Sequence, residues 1–188
     1  MKLANQKRYL LITAVTGILS FPVLAEQVCD DSVAQTTPTS AFTDNGDGTV
    51  TDKFTGLMWK KCVEGLSGND CATGTAQTFT WQMALQQVTT INADVSQTYT
   101  DWRLPNIKEL ASIVELHCYM PAANQTLFPA TPVDIDMNTG YVWSSTPSSI
   151  YQPAGSAGRT LAWGVRFVNG ETARVDKSSV GFVRLVRN

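Results

Sequence analysis

The residues with the most chemistry to offer are four cysteines and a single histidine: Cys29, Cys62, Cys71 and Cys118, with His117 directly before the last. Thiols and an imidazole can hold zinc or make a nucleophile pair, and thiols alone can close disulfides. Zinc is the weaker reading, because no Cys-x-x-Cys pair occurs and exported thiols oxidise. An even number of cysteines allows complete pairing, and three connectivities are open. Cys62 and Cys71 flank a stretch rich in Gly, Ser and Asn (63–70), which suits a local loop staple and leaves Cys29 to reach Cys118. This is the pairing we prefer. Closing the short loop is worth about 2.5–3 kcal/mol and closing the long one about 4.5 kcal/mol on a chain-entropy model.

Other constellations fall short of catalysis. A Ser-His-Asp arrangement needs His117 to face a cleft, whereas it adjoins an expected disulfide, so a packed or surface role is expected. Ser156 lies in Ala154-Gly155-Ser156-Ala157-Gly158, which misses the first glycine of a Gly-x-Ser-x-Gly elbow and lacks its strand-turn-helix setting. Asp134 and Asp136 alternate as two carboxylates on one side of a strand would, but neighbouring prolines favour a solvated loop. Asp44-Asn45-Gly46-Asp47-Gly48 invites a calcium loop, yet an EF-hand register puts Thr43 first and Phe54 at the twelfth position, so a turn is expected. No catalytic residue, metal or cofactor is assigned, and the chain is read as a non-enzyme.

The frame that must position these groups is modest. The sequence has 188 residues, 43% hydrophobic and 16% charged, which fits one globular domain. Residues 1–25 read as a secretory signal: Lys2, Lys7 and Arg8 precede an apolar run from Tyr9 to Leu24, and Val23-Leu24-Ala25 suits a cut before Glu26. The expected location is therefore secreted, periplasmic or cell-surface. Cleavage removes three of the 14 basic residues and none of the 16 acidic ones, leaving a net charge of −5. Residues 26–136 carry 5 basic and 14 acidic groups, and residues 137–188 carry 6 basic and 2 acidic, so the end of the chain is cationic.

Residues 26–40 are poor in large apolar groups and read as a flexible N-terminal arm held near Cys29, ahead of a domain over residues 41–188. A hairpin around Gly46-Asp47-Gly48 and a strand at Gly56-Leu57-Met58-Trp59 come first. Thr80 caps a predicted helix whose Trp81, Ala84, Leu85 and Val88 form one apolar stripe. Pro105 holds Leu104 extended, and Asn106 with Glu109 makes a capping box for a second helix carrying Ile107, Leu110, Ala111 and Val114. Residues 119–140 read as a long surface loop and 152–158 as a flexible tip. Strands are expected at 141–145, 161–168, 171–175 and 181–186, the middle pair joined by a two-residue Asn169-Gly170 turn.

Gly56-Leu57-Met58-Trp59, Trp102-Arg103-Leu104-Pro105 with Glu109-Leu110, Trp143-Ser144-Ser145, Ala162-Trp163 followed by Phe167, and Val183-Arg184-Leu185-Val186-Arg187 occur together in that order. Over residues 41–188 the chain thus resembles the C-terminal domain of the Legionella collagen-like adhesin, a bacterial family of unknown function whose members often carry the Cys62 and Cys71 pair. The resemblance implies an α+β, C-type-lectin-like fold, two helices packed on short twisted antiparallel strands and stapled by disulfides. The Arg-Leu-Pro segment is also similar to formylglycine-generating enzymes, whose activity would need free thiols.

For function the resemblance implies glycan or glycosaminoglycan binding. The Glu-Pro-Asn, Gln-Pro-Asp and Trp-Asn-Asp motifs of calcium-dependent sugar binding are absent, so any glycan is expected to bind without a calcium cage. The candidate ligand-binding residues are Arg159, Arg166, Arg174 and Lys177, whose cationic heads match sulfate or carboxylate. Against one shared patch, a two-residue turn would pair Arg166 with Ala173 and Val165 with Arg174, sending Arg166 and Arg174 to opposite faces. Arg184 and Arg187 are expected to be ion-paired, and the tryptophans mostly core. The alternative is a structural or protein-protein module of a surface appendage, assembling as homo-oligomers. No nucleic-acid partner is expected, nor membrane insertion once the signal is cut.

Overall fold

The computed structural model of the chain describes residues 26–133, 140–148 and 160–188. The expected signal, Asp134, Asp136, Ser156, Arg159 and the tip at 152–158 lie outside the described residues. In chain order the strands are β1 (Val28–Cys29), β2 (Phe42–Asp44), β3 (Thr49–Asp52), β4 (Met58–Lys60), β5 (Leu66–Ser67), β6 (Thr73–Gly74) and β7 (Thr78–Thr80). Helix α1 (Trp81–Ala93) and the short α2 (Ile107–Ser112) follow. The rest are β8 (Cys118–Tyr119), β9 (Tyr141–Ser148), β10 (Leu161–Arg166), β11 (Glu171–Asp176), β12 (Val180–Phe182) and β13 (Val186–Arg187). The architecture is α+β and stapled by two disulfides, Cys29–Cys118 and Cys62–Cys71, the connectivity preferred from the spacing.

Two sheets carry the domain. One has the order β11-β10-β9-β12-β7, antiparallel except where β12 runs parallel to β9; the other has the order β13-β4-β3-β2. Successive residues of a strand face opposite ways, and β9 is buried on both sides. Val142 joins Trp59, Leu110, Ile113 and Phe128 on one face, while Tyr141 and Trp143 join Ala84, Ile91, Trp102 and Leu104 on the other. Each large side chain so enclosed contributes about 1.5–3 kcal/mol.

The helices form for local reasons. Thr80 accepts a hydrogen bond from the Met83 N–H, and the Ala84 and Ile91 side of α1 is buried. Asn106 accepts from the N–H groups of Lys108 and Glu109 while Glu109 reaches back to the Asn106 N–H, completing the capping box. The helix then ends early: Val114 is buried beyond its last turn rather than within it.

Three expectations are corrected. Residues 119–133 are not a surface loop, since Ala122, Ala123, Leu127 and Phe128 are buried and join the core. The predicted strand 181–186 is two strands: the buried Val183-Arg184-Leu185 carries the chain from β12 in one sheet to β13 in the other. The β10–β11 register is also shifted, with Arg166 opposite Glu171 and Trp163 opposite Arg174. Phe167 leaves the ladder because its side chain enters the core and its carbonyl accepts the Ala122 N–H, so the connection spans Phe167 to Gly170. The shift conserves parity, and Arg166 and Arg174 still face opposite ways.

Candidate functional site

A cleft of about 230 Å³ opens where four separate stretches meet. The β2–β3 turn supplies Asp47, β4 supplies Lys60, the disulfide-closed loop after it supplies Glu64 and Ser67, and the segment following α1 supplies Gln97, Thr98, Tyr99 and Trp102. The turn is tight because Gly46 and Gly48 take φ of 75° and 85°, conformations that glycine adopts freely. The Cys62–Cys71 bond fixes the loop that forms the cleft's second wall.

The aromatic wall is held from behind. Asn92 of α1 clamps Trp102, accepting its N–H at 2.9 Å and donating to its carbonyl at 2.7 Å. The Trp102 ring meets Tyr99 edge to face at 5.9 Å between centroids. The Arg187 guanidinium lies 4.4 Å over the Tyr99 ring and is itself fixed by two hydrogen bonds to Asp101, at 2.6 and 3.0 Å. That pairing keeps the Asp101 carboxyl below its ordinary range and pushes Arg187 up. Arg187 is thus the ion-pair partner expected of it, and it also orders a cleft residue.

Polar groups converge on the same space. One oxygen of Asp47 accepts from the Thr49 hydroxyl at 2.5 Å and from its N–H at 3.1 Å; the other accepts from the Tyr99 hydroxyl at 3.2 Å. The charge of Asp47 raises the Tyr99 phenol above its ordinary range. Lys60 gives one N–H to Glu64 at 3.1 Å and stands 5.5 Å from the Trp102 ring, with two more donors on its ammonium. Two carboxylates, one ammonium, a phenol and an amide thus line one space beside Tyr99 and Trp102.

The cationic residues singled out from the sequence do not assemble into one patch. Arg166 is half-buried and faces Glu171 at 3.5 Å. Arg174 is exposed and stacks on its cross-strand neighbour Trp163 at 5.4 Å, and Lys177 lies 4.0 Å over the Trp81 ring. Arg184 departs from expectation: it is fully buried, and among the described residues it bonds to the Lys61 carbonyl and the Thr131 hydroxyl over the Phe128 ring rather than to a carboxylate. Burial pushes its guanidinium down to about 9. Of the tryptophans, Trp59, Trp102 and Trp143 are buried, whereas Trp81 and Trp163 are half-buried beneath those cations.

The cleft residues Asp47, Lys60, Glu64 and Tyr99 were not singled out by their spacing. They lie up to 52 positions apart and share no periodicity, so only the fold brings them together. The Lys60 and Glu64 pair at i, i+4 was the single local hint.

Two comparisons bear on identity. The model of the Lcl C-terminal domain family matches residues 48–187. A search of curated proteins found no match.

Proposed function

The chain belongs to the Lcl C-terminal domain family, and we propose that it is an exported, non-enzymatic, C-type-lectin-like module that binds glycans in the Tyr99–Trp102 cleft without calcium. The observation that carries this reading is the convergence of Asp47, Lys60, Glu64 and the Tyr99 hydroxyl on one aromatic-walled space. Sugar hydroxyls are both donors and acceptors, and a carboxylate beside an ammonium serves both roles. An aromatic flank covers the apolar C–H face of a pyranose. A space of about 230 Å³ is smaller than the roughly 300–1,000 Å³ of drug-sized pockets, which restricts an occupant to one or two rings.

The charge of the lining favours uncharged over sulfated glycans. Asp47 and Glu64 outnumber Lys60, so a sulfate entering the cleft meets net negative charge. Arg166, Arg174 and Lys177 are dispersed over two sheet faces and already engage Glu171, Trp163 and Trp81. Both cleft carboxylates are held by donors, which favours binding over general acid-base work. Two disulfides suit an exported protein, and no helix among the described residues is long and apolar enough to cross a membrane.

A glycan screen on the oxidised protein, run with a calcium chelator at low and high salt, tests the proposal. Uncharged oligosaccharides retained under all conditions are expected, since hydrogen bonds to neutral hydroxyls are not screened by salt. Retention of sulfated chains alone, falling as salt rises, would move the function to Arg174 and Lys177 and overturn the cleft.

A further inference from the structure

The bond that fastens the N-terminal arm is open to chemistry in a way the other disulfide is not. Of the four cysteines only Cys29, on the two-residue strand β1, is exposed; Cys62, Cys71 and Cys118 are buried. Cys29 faces a cleft of about 380 Å³ whose apolar lining comes from Val28, Val33, Leu116 and Tyr119. All four of these side chains are exposed, so an apolar patch surrounds the accessible end of the bond. Such a patch fits the surface of a protein better than a small hydrophilic thiol.

The buried end has the group that a departing thiolate needs. The Cys118 sulfur lies 3.4 Å from Nε2 and 3.6 Å from Nδ1 of His117, beside the ring rather than in line with either nitrogen. His117 is the chain's single histidine, so the Cys62–Cys71 bond has no imidazole. Nδ1 of His117 meets Oε1 of Glu115 at 2.8 Å, an ion pair when the ring is protonated. Glu115 is a firm carboxylate, since hydrogen bonds from Thr36, His117 and Thr37 overcome burial and hold its pKa at about 2. The imidazolium charge then stands where negative charge gathers on Cys118 as a sulfur–sulfur bond breaks. A cation beside a thiolate makes it a better leaving group.

We propose that the Cys29–Cys118 disulfide is a site of thiol–disulfide exchange, attacked at Cys29 by the dithiol of an oxidoreductase docked on the apolar patch, with Cys118 leaving beside His117. The incoming thiolate bonds to the Cys29 sulfur, the Cys29–Cys118 bond breaks, and its electron pair departs on Cys118, which takes a proton. The partner's second thiol loses its proton and attacks the partner's own sulfur in the mixed disulfide. Cys29 is expelled as a thiolate and protonated. The chain gains two electrons and two protons, and the partner leaves as its disulfide.

Other ties keep the arm seated when the bond opens. Thr36 and Thr37 donate four hydrogen bonds to Glu115, Asn124 donates to the Thr37 carbonyl, and Gln27 donates to the Pro121 and Ala123 carbonyls. The two thiols therefore stay at one corner of a folded body, and an oxidised partner can close them again.

The test treats the oxidised protein with thioredoxin, regenerated by its NADPH-dependent reductase, and separately with dithiothreitol. Thiols are alkylated at intervals and mapped by mass spectrometry. Label on Cys29 and Cys118 is expected with Cys62–Cys71 intact, and a thioredoxin lacking its second active-site cysteine should be trapped on Cys29. Val33→Ser/Leu116→Ser should slow reduction by thioredoxin by at least about 5-fold and leave the dithiothreitol rate unchanged. His117→Gln should slow both reductants by at least about 3-fold. Persistence of Cys62–Cys71 in each variant shows that its body is still folded, and the wild-type readouts depend on no variant. The proposal is overturned by Cys62–Cys71 opening as fast as Cys29–Cys118, by a mixed disulfide on Cys118, by reduction with dithiothreitol but not thioredoxin, or by variants that react at wild-type rates.

Discussion

Through one oxygen, the Glu115 carboxylate accepts both the N–H and the hydroxyl of Thr37, each at 2.8 Å, across 78 positions of sequence. Its other oxygen accepts the N–H of Thr36 at 2.8 Å and its hydroxyl at 2.9 Å. An arm too polar to bury itself is ordered by a single charge. Thr37 is 2% exposed, so the segment is tied down well beyond its disulfide.

That arrangement sets an acid limit on stability. Burial alone would raise the Glu115 pKa, but hydrogen bonds from Thr36, His117 and Thr37 lower it from 4.5 to about 2. Between those values the unfolded chain binds the extra proton, so stability rises with pH across this window and is level above it. The full difference is about 3 kcal/mol at 1.36 kcal/mol per pKa unit. Urea midpoints measured from pH 2 to 6 should climb and then plateau in wild type, and Glu115→Gln should flatten much of that climb.

The cores give a steric prediction. A Cβ added at Gly181 would sit 2.3 Å from the Tyr141 ring, which is packed against Trp143 at 4.7 Å and cannot retreat. Gly181→Ala should therefore cost about 1–3 kcal/mol as overpacking, read as a lower midpoint in denaturant. Gly46→Ala meets no atom within 4 Å, so its cost comes from φ of 75° alone and should be about 1 kcal/mol.

What the sequence made legible was local. The stripe of α1 is written within eight residues, the capping box of α2 within four, and the Cys62–Cys71 loop within ten. The passage from β12 to β13 was not legible, because Gly181 to Val186 alternates the same way whether it stays in one sheet or crosses between two. Ala122 to Phe128 carries no helix or strand period, yet it fills the core through loop backbone satisfied by Phe167 and Asn124. The two-residue turn at Asn169-Gly170 failed because burial of Phe167 outweighed turn preference. The cleft was the least legible feature, since Asp47 and Tyr99 meet only once the second sheet and the end of α1 are in place.

Removing the staples should separate their roles. Cys29→Ala/Cys118→Ala opens an 89-residue separation and Cys62→Ala/Cys71→Ala one of nine, so the chain-entropy model assigns about 4.5 and about 2.5 kcal/mol. Glycan affinity should follow the opposite order. The short loop forms a wall of the cleft, whereas the long bridge lines two other clefts beside the arm. Thermal denaturation and calorimetric binding on the two double variants check both orders, and equal loss of binding in each would contradict the placement of the site.

Tyr99 gives the sharpest functional prediction because its ring and its hydroxyl act separately. Among the described residues the hydroxyl bonds to Asp47 alone, at 3.2 Å, and the ring stands between Arg187 at 4.4 Å and Trp102 at 5.9 Å. Tyr99→Phe keeps the wall and frees the Asp47 oxygen, so sugar affinity should fall by less than about 10-fold, within the range of one neutral hydrogen bond. Tyr99→Ala removes the wall and should weaken binding by more than about 10-fold. Arg187→Ala leaves Tyr99 in place but releases its ring and leaves Asp101 unpaired. Its affinity should therefore lie between those of the two tyrosine variants. Calorimetry with an uncharged oligosaccharide reads all three, and an Arg187→Ala affinity equal to wild type would mean that the ring needs no support to bind sugar.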